Sequence, residues 1–204
     1  NFMLDNYHPT KMVVSAAGKI DHNEFVDIIT KSMNNLPKGD LNNRVKANYT
    51  GGEYREKKEL EQIHLILGFE GLDYYNDDYE ALRVYSALMG AGGSSRLFQE
   101  IREKRGLVYS IYADIDSFSD CGTFQIVAGT GKKEIKELLP VLCDELLNSP
   151  KNIKEIEIEK SKAQLKSSTL MSQESTMNNA TVGAYQLLRY DKLIDINQRI
   201  KKID

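Results

Sequence analysis

The chain has 204 residues, 41% of them hydrophobic and 28% charged, an ordinary globular mixture that sets aside disordered and fibrous classes. Lys plus Arg number 27 against 30 Asp plus Glu, a formal charge of −3 with no long single-sign run, so no phosphate-tracking face for nucleic acid is expected. No apolar stretch approaches the roughly 20 residues of a membrane span, and two cysteines without C-x-x-C spacing predict buried free thiols in a reducing compartment rather than a disulfide framework.

The opening NFMLDNYHP carries neither the basic start nor the apolar core of a secretion signal, and it reads as the middle of an element, so a fragment is expected. Residues 12–17 form a short apolar run ending at Gly18 and predict a strand. Asp21 then caps a helix with Phe25, Ile28, Ile29 and Met33 on one stripe. Leu36-Pro37-Lys38-Gly39 stops that helix, and residues 39–61, polar and containing Gly51-Gly52, read as an interdomain linker. A domain boundary is therefore expected there, with 1–38 and 62–204 on either side and 39–61 as linker.

In that second domain Ile63, Leu65, Leu67 and Phe69 alternate as a strand does. Asp77 or Asp78 caps a helix through Met89 with Ala81, Leu82, Tyr85 and Leu88 on one side, and Gly90-Ala91-Gly92-Gly93 ends it. A second short helix runs over 96–104, and Gly106 terminates it as a left-handed cap. Strands over 107–115 and 123–130 pair as an antiparallel hairpin. Ile135, Leu138, Leu139, Leu142 and Leu146 mark a helix that Asn148-Ser149-Pro150 breaks, and from Ile153 to about Arg189 one long or kinked helix follows. The fold class is α+β, helices covering a largely antiparallel sheet.

A hydrolytic metal site needs several converging ligands, and His8, His22 and His64 stand alone, each in a different element, so no metal site is expected in this chain. The glycine turn at Gly90, Gly92 and Gly93 lacks a P-loop pattern and joins helix to helix; it reads as a close-packed or mobile turn rather than a phosphate cradle. Arg102 closes a short helix and Tyr109 opens a strand across the turn at Gly106. An arginine fork beside a phenol can bind a peptide carbonyl and stabilise charge developing on it. From residue types alone, a surface Arg and a core Tyr is the simpler account.

The run GGSSRLFQEIREKRGLVYS at 92–110 closely resembles the hallmark of the second domain in mitochondrial processing peptidase-like zinc peptidases, the pitrilysin and insulinase superfamily. The similarity extends to MVVSAAGKIDH at 12–22, to 67–90, to GTFQIVAGT at 122–130 and to IEKSKAQLKSS at 158–168. The resemblance implies one half of a clamshell metalloendopeptidase, with 1–38 as the tail of the preceding zinc-binding-type domain and 62–204 as a second, substrate-facing domain incomplete at its C-terminus, the zinc being bound outside this chain by an H-x-x-E-H motif and a downstream Glu of an N-terminal half or partner subunit. It implies that Arg102 holds a substrate carbonyl and that Tyr109 donates to the tetrahedral oxyanion. The turn at Gly90, Gly92 and Gly93 resembles the active-type subunit rather than the longer glycine-rich loop of the non-catalytic one. Peptide substrate, a possible homo- or heterodimer, no nucleic acid and no membrane span complete the expectation, with a cytoplasmic setting if bacterial or the mitochondrial matrix otherwise. The competing reading is a non-catalytic subunit of the same fold, a respiratory-complex core protein or the partner in a heterodimeric peptidase.

Overall fold

The computed structural model describes residues 2, 6–36, 39 and 45–204. The expected stop at Pro37-Lys38 and the linker residues 40–44 lie outside the described residues. The chain divides into two compact units, Asn1–Val45 with Ser167–Lys201, and Lys46–Lys166 with Lys202–Asp204.

In the first unit a 3₁₀ turn at Pro9–Lys11 leads into residues 12–17, and α1 follows at His22–Met33. The Asp21 carboxylate accepts from the Glu24 N–H at 2.9 Å, the cap that the sequence predicts. The strand expected over 12–17 is not formed. Burial alternates from Val13 to Ala17 as it would in a strand, but among the described residues no chain pairs with it, and an extended segment without a ladder partner is not a strand. On α1, Phe25, Ile29 and Met33 are half-buried while Ile28 is exposed, so the apolar stripe is narrower than its spacing suggests.

The second unit holds a three-stranded antiparallel sheet of β1 (Ile63–Glu70), β2 (Ser110–Ser117) and β3 (Gly122–Thr130), in the order β1-β3-β2. The central position of β3 follows from its composition: Phe124, Ile126 and Ala128 are buried and form the spine of the core. Pairing of Leu65 with Ala128 and of Ile111 with Ala128 puts the apolar residues of all three strands on one face. On that face lie α2 (Tyr79–Gly90), a π-helical turn (Phe98–Glu103) and α3 (Ile135–Asn152), which contribute Leu88, Met89, Ile101, Leu138 and Leu142 to the same core. On the opposite face Ile66, Val127 and Tyr112 form a cross-strand row in which Ile66, 62% exposed, and Tyr112 are open and Val127 is half-buried among the described residues.

β2 begins three residues later than the expected 107. Leu107 and Val108 are buried, but the Leu107 carbonyl accepts from the Thr130 hydroxyl at 2.6 Å and its N–H donates to Ile101 O at 3.1 Å, so its backbone is committed before the ladder starts. Pro150 does not end α3, which runs on to Asn152. A proline withdraws the N–H that the carbonyl four residues back would receive; here the Ser149 hydroxyl donates to that carbonyl, Leu146 O, at 2.9 Å. The Ser149 hydroxyl oxygen also lies 2.9 Å from the Tyr85 hydroxyl of α2.

The expected long helix from 153 to 189 is two helices, α4 (Glu155–Met171) and α5 (Thr176–Tyr190), separated by a 3₁₀ turn at Ser172–Glu174. Polar side chains compete for the backbone at the break: Ser172 donates to Thr169 O, Asn178 to Ser172 O, and Ser175 caps α5 through the Asn178 N–H. Asp191, at φ 53°, ends α5 in a left-handed cap, and α6 (Ile196–Lys201) follows. Both cysteines are free, Cys121 half-buried and Cys143 exposed, so the expectation of two buried thiols is corrected. Cys143 follows the buried Leu142 on α3 and falls off its apolar stripe.

Two measurements check this packing. A Cβ on Gly90 would overlap the backbone nitrogen of Ala113 on β2, so Gly90→Ala is expected to destabilise the second unit by about 1–3 kcal/mol, read as a lowered urea midpoint. The second concerns Glu157 on α4, whose carboxylate accepts from Arg96 Nη2 at 2.7 Å and from the Lys154 N–H at 2.9 Å. Burial alone would push this carboxyl up, but the Arg96 and Lys154 donors outweigh it and hold it below its ordinary value. A depressed carboxyl stabilises the fold above its unfolded value and loses that contribution as pH falls through the folded value. Glu157→Gln is therefore expected to lose about 1.5–3 kcal/mol near neutral pH, with the gap to the parent chain closing in acid; a gap that stays constant contradicts the assignment.

Candidate functional site

The segment from the end of α2 to the start of β2 is tied down along its length. At its start Gly90, buried, presses its bare Cα against Ala113. The next carbonyls are each occupied: Ala91 O accepts from Gln164 Nε2 of α4 at 3.0 Å, Gly92 O from the Ser95 hydroxyl at 2.7 Å, and Gly93 O from Gln99 Nε2 at 2.6 Å. These bonds hold the turn of Gly90, Gly92 and Gly93 that the sequence singles out. Leu97 and Ile101 then anchor the helical stretch, both fully buried.

The stretch that carries Arg102 is π-helical rather than an ordinary α-turn. The Lys104 N–H reaches back five residues to Gln99 O at 3.1 Å. Such a turn holds one residue more than an α-turn and is common at functional sites; the extra residue rotates the downstream side chains by about 100° around the axis. Gly106, at φ 63°, closes it in the left-handed conformation that glycine adopts without strain, its N–H bonded to Arg102 O at 3.0 Å. Three residues on, the Tyr109 N–H bonds Gly129 O of β3 at 2.8 Å, so the backbone under the phenol is fixed to the sheet.

The charges of this segment sort into two groups. Arg96, with a side chain 9% exposed, forms a bidentate pair with Glu157 and also donates to Asn152. Lys104 and Arg105 share the Glu100 carboxylate, and the Lys104 hydrogen bond holds that carboxyl below its ordinary value. Arg102 belongs to neither pair. Among the described residues no carboxylate or hydrogen-bond acceptor engages its exposed guanidinium, which instead lies over the Phe98 ring, 4.7 Å from the centroid. Tyr109 is 60% exposed, and its hydroxyl likewise has no partner among the described residues. Both residues sit on the one segment that leads from the π-helical turn into β2.

The sequence singles out Arg102 and Tyr109 as candidates and places the Gly106 cap, but three features carry little or no signal in it. The Phe98 platform has a weak local signal, its spacing of four residues from Arg102. The π-turn has none, because its residue pattern is that of an ordinary helix. The pairing of Arg96 with Glu157 crosses 61 positions, beyond the reach of any periodicity.

No group of three or more His, Cys, Asp or Glu among the described residues could hold a metal ion. His8 is buried before the Pro9–Lys11 turn, His22 opens α1, and His64 is exposed on β1. The described residues do not fit a zinc site. No helix among the described residues is long and apolar enough to cross a membrane.

Comparison with known proteins places this arrangement. The family described as the peptidase M16 inactive domain matches residues 1–165. An uncharacterized zinc protease of Rickettsia felis is 33% identical over 213 residues, covering 100% of this chain and 51% of the relative. The alpha subunit of the mitochondrial-processing peptidase of Caenorhabditis elegans is 27% identical, over 85% of this chain and 40% of the relative. Among solved structures, a chain of complex III2 from Candida albicans superposes with a TM-score of 0.79 at 21% identity, over 92% of this chain and 47% of that one, a likeness of fold alone. The chain spans about half the length of the curated relatives it matches. A sheet covered by helices on one face, no converging metal ligands among the described residues and a family match over most of its length lead to one assignment: the chain belongs to the peptidase M16 inactive-domain family.

Proposed function

We propose that this chain is the substrate-facing, non-zinc portion of a zinc metalloendopeptidase that cleaves peptides or presequences. One observation carries the reading. On a segment where the other basic side chains are paired off, Arg102 and Tyr109 present exposed donors that nothing among the described residues uses. With Glu100 and Glu157 taken up by the neighbouring cations, the Arg102 guanidinium keeps its donors open for a carbonyl or carboxylate that arrives from outside.

In the reaction, the Arg102 fork donates N–H bonds to a carbonyl oxygen of an extended peptide and fixes its register. The Tyr109 hydroxyl donates to the scissile carbonyl oxygen as it gains charge, an interaction stronger in the transition state than in the bound substrate. Zinc and its ligands belong to the other half, carried by the same polypeptide or by a partner subunit. The alternative, a non-catalytic core or partner subunit, draws on the likeness in fold to the complex III2 chain; it gives two unused surface donors no task.

In the complete protein Arg102→Ala is expected to raise KM by about 10–100-fold, the size of a charged hydrogen bond, whereas Tyr109→Phe is expected to lower kcat by about 100–1,000-fold. Both side chains are exposed, so each variant should hold its unfolding midpoint to within about 0.5 kcal/mol. Steady-state kinetics on an internally quenched peptide, with urea titration alongside, checks both; unchanged kinetics removes the assigned roles. The isolated 204-residue chain is expected to retain no stoichiometric zinc after dialysis and to cleave no peptide, and metal analysis finding one tightly held zinc per chain would overturn the division of labour.

A further inference from the structure

We infer that Phe98 is a positioning residue that aims the Arg102 guanidinium at the substrate, an inference that rests on the proposed role of Arg102. The guanidinium carbon lies 4.7 Å from the Phe98 ring centroid, inside the range of a cation–π contact. The face and the edge of a guanidinium do different things. Its N–H donors all point outward in the plane, and its π face carries none. A carboxylate partner would occupy the edge and compete with a peptide carbonyl for the same donors. An aromatic ring beneath the face removes rotamer freedom and leaves the edge open, so less ordering entropy is lost when substrate binds.

Phe98 is itself well placed for this task. It follows the fully buried Leu97, begins the π-helical turn, and is half-buried. Its ring lies along the glycine turn, where a Cβ on Gly93 would sit 3.7 Å from Cε1. The neighbouring positions show what the platform avoids. Lys104 and Arg105, on the same stretch, are drawn onto Glu100, and a guanidinium so engaged has its donors taken. The ring therefore keeps Arg102 ordered without occupying its hydrogen-bond donors.

The test uses the complete protein and compares Phe98→Leu, Phe98→Tyr, Arg102→Ala and the Phe98→Leu/Arg102→Ala double variant on one internally quenched peptide. Phe98→Leu is expected to raise KM about two- to fivefold, the size of an exposed cation–π contact, with kcat and the unfolding midpoint nearly unchanged. Phe98→Tyr keeps the ring and should restore the parent KM. The double variant should be no worse than Arg102→Ala alone, because the ring acts only through the guanidinium. In ¹⁵N relaxation the Arg102 Nε–H group should become more mobile in Phe98→Leu and not in Phe98→Tyr. A parent-like KM for Phe98→Leu beside a raised KM for Arg102→Ala overturns the inference and leaves the role of Arg102 intact. A parent-like KM for Arg102→Ala removes both, and additive effects in the double variant overturn the coupling between ring and guanidinium.

Discussion

The approach of α2 to β2 at Gly90 is the constraint on which the site segment depends. With no side chain at that position, the helix end can rest directly on the Ala113 backbone, and the chain leaves the helix from a fixed point on the sheet. It returns to the same sheet where Tyr109 bonds Gly129. Between those two attachments lie the glycine turn, the π-helical turn and the Gly106 cap, so their geometry is set by a closed path rather than by local preference. Leu97 and Ile101, fully buried, add interior anchors that a surface loop of similar length would lack. Arg102 thus stands on backbone held from both ends, which is what its proposed role of orienting substrate requires.

Electrostatics decides which of the neighbouring cations remains available. Arg96 is sequestered by Glu157 and Asn152, where its pairing ties the start of the helical stretch to the end of α3 and the start of α4. Glu100 collects Lys104 and Arg105 on the other side. Each of these pairs occupies one or more cations together with a carboxylate that could otherwise pair with Arg102. A surface ion pair contributes little to stability by itself; its consequence here is to leave one guanidinium whose donors are open. The proposed mechanism and the Phe98 platform are two aspects of that same arrangement, one of what the donors bind and one of what holds them still.

Much of the fold is legible in the sequence because the responsible interactions are short-range. The alternation of Ile63, Leu65 and Leu67, the helix marked by Ile135, Leu138, Leu142 and Leu146, the Asp21 cap and the Gly106 stop each announce themselves within a few residues and are found in place, whereas Phe69 and Leu139 of the same two patterns are exposed. The departures arise where a partner that periodicity does not register enters. Pro150 is a helix breaker until the Ser149 hydroxyl satisfies Leu146 O. Residues 12–17 have the composition of a strand, but composition does not provide a neighbour. The break at Ser172–Glu174 comes from several serine and asparagine side chains acting together, each of them ordinary within a helix. For the site, the identities of Arg102 and Tyr109 come from the resemblance of a contiguous run, whereas their availability is visible only once every other charge has been followed to its partner.

The two faces of the sheet differ. Helices cover the face bearing Phe124 and Ile126, while in the cross-strand row on the other face Ile66 and Tyr112 are exposed and Val127 is half-buried among the described residues. A sheet covered on one face only has a rigid interior and an exterior free to be shaped by contact with something else. Tyr109 lies one residue before Ser110 pairs with Gly129, and its own N–H is bonded to Gly129 O, so the backbone that carries the phenol is fixed to the sheet. On the proposed function such a scaffold needs no preformed pocket of its own: exposed donors at Arg102 and Tyr109 on well-held backbone suffice, provided that the reacting atoms are presented from outside. In that proposal a domain without converging metal ligands among its described residues supplies one half of an active site.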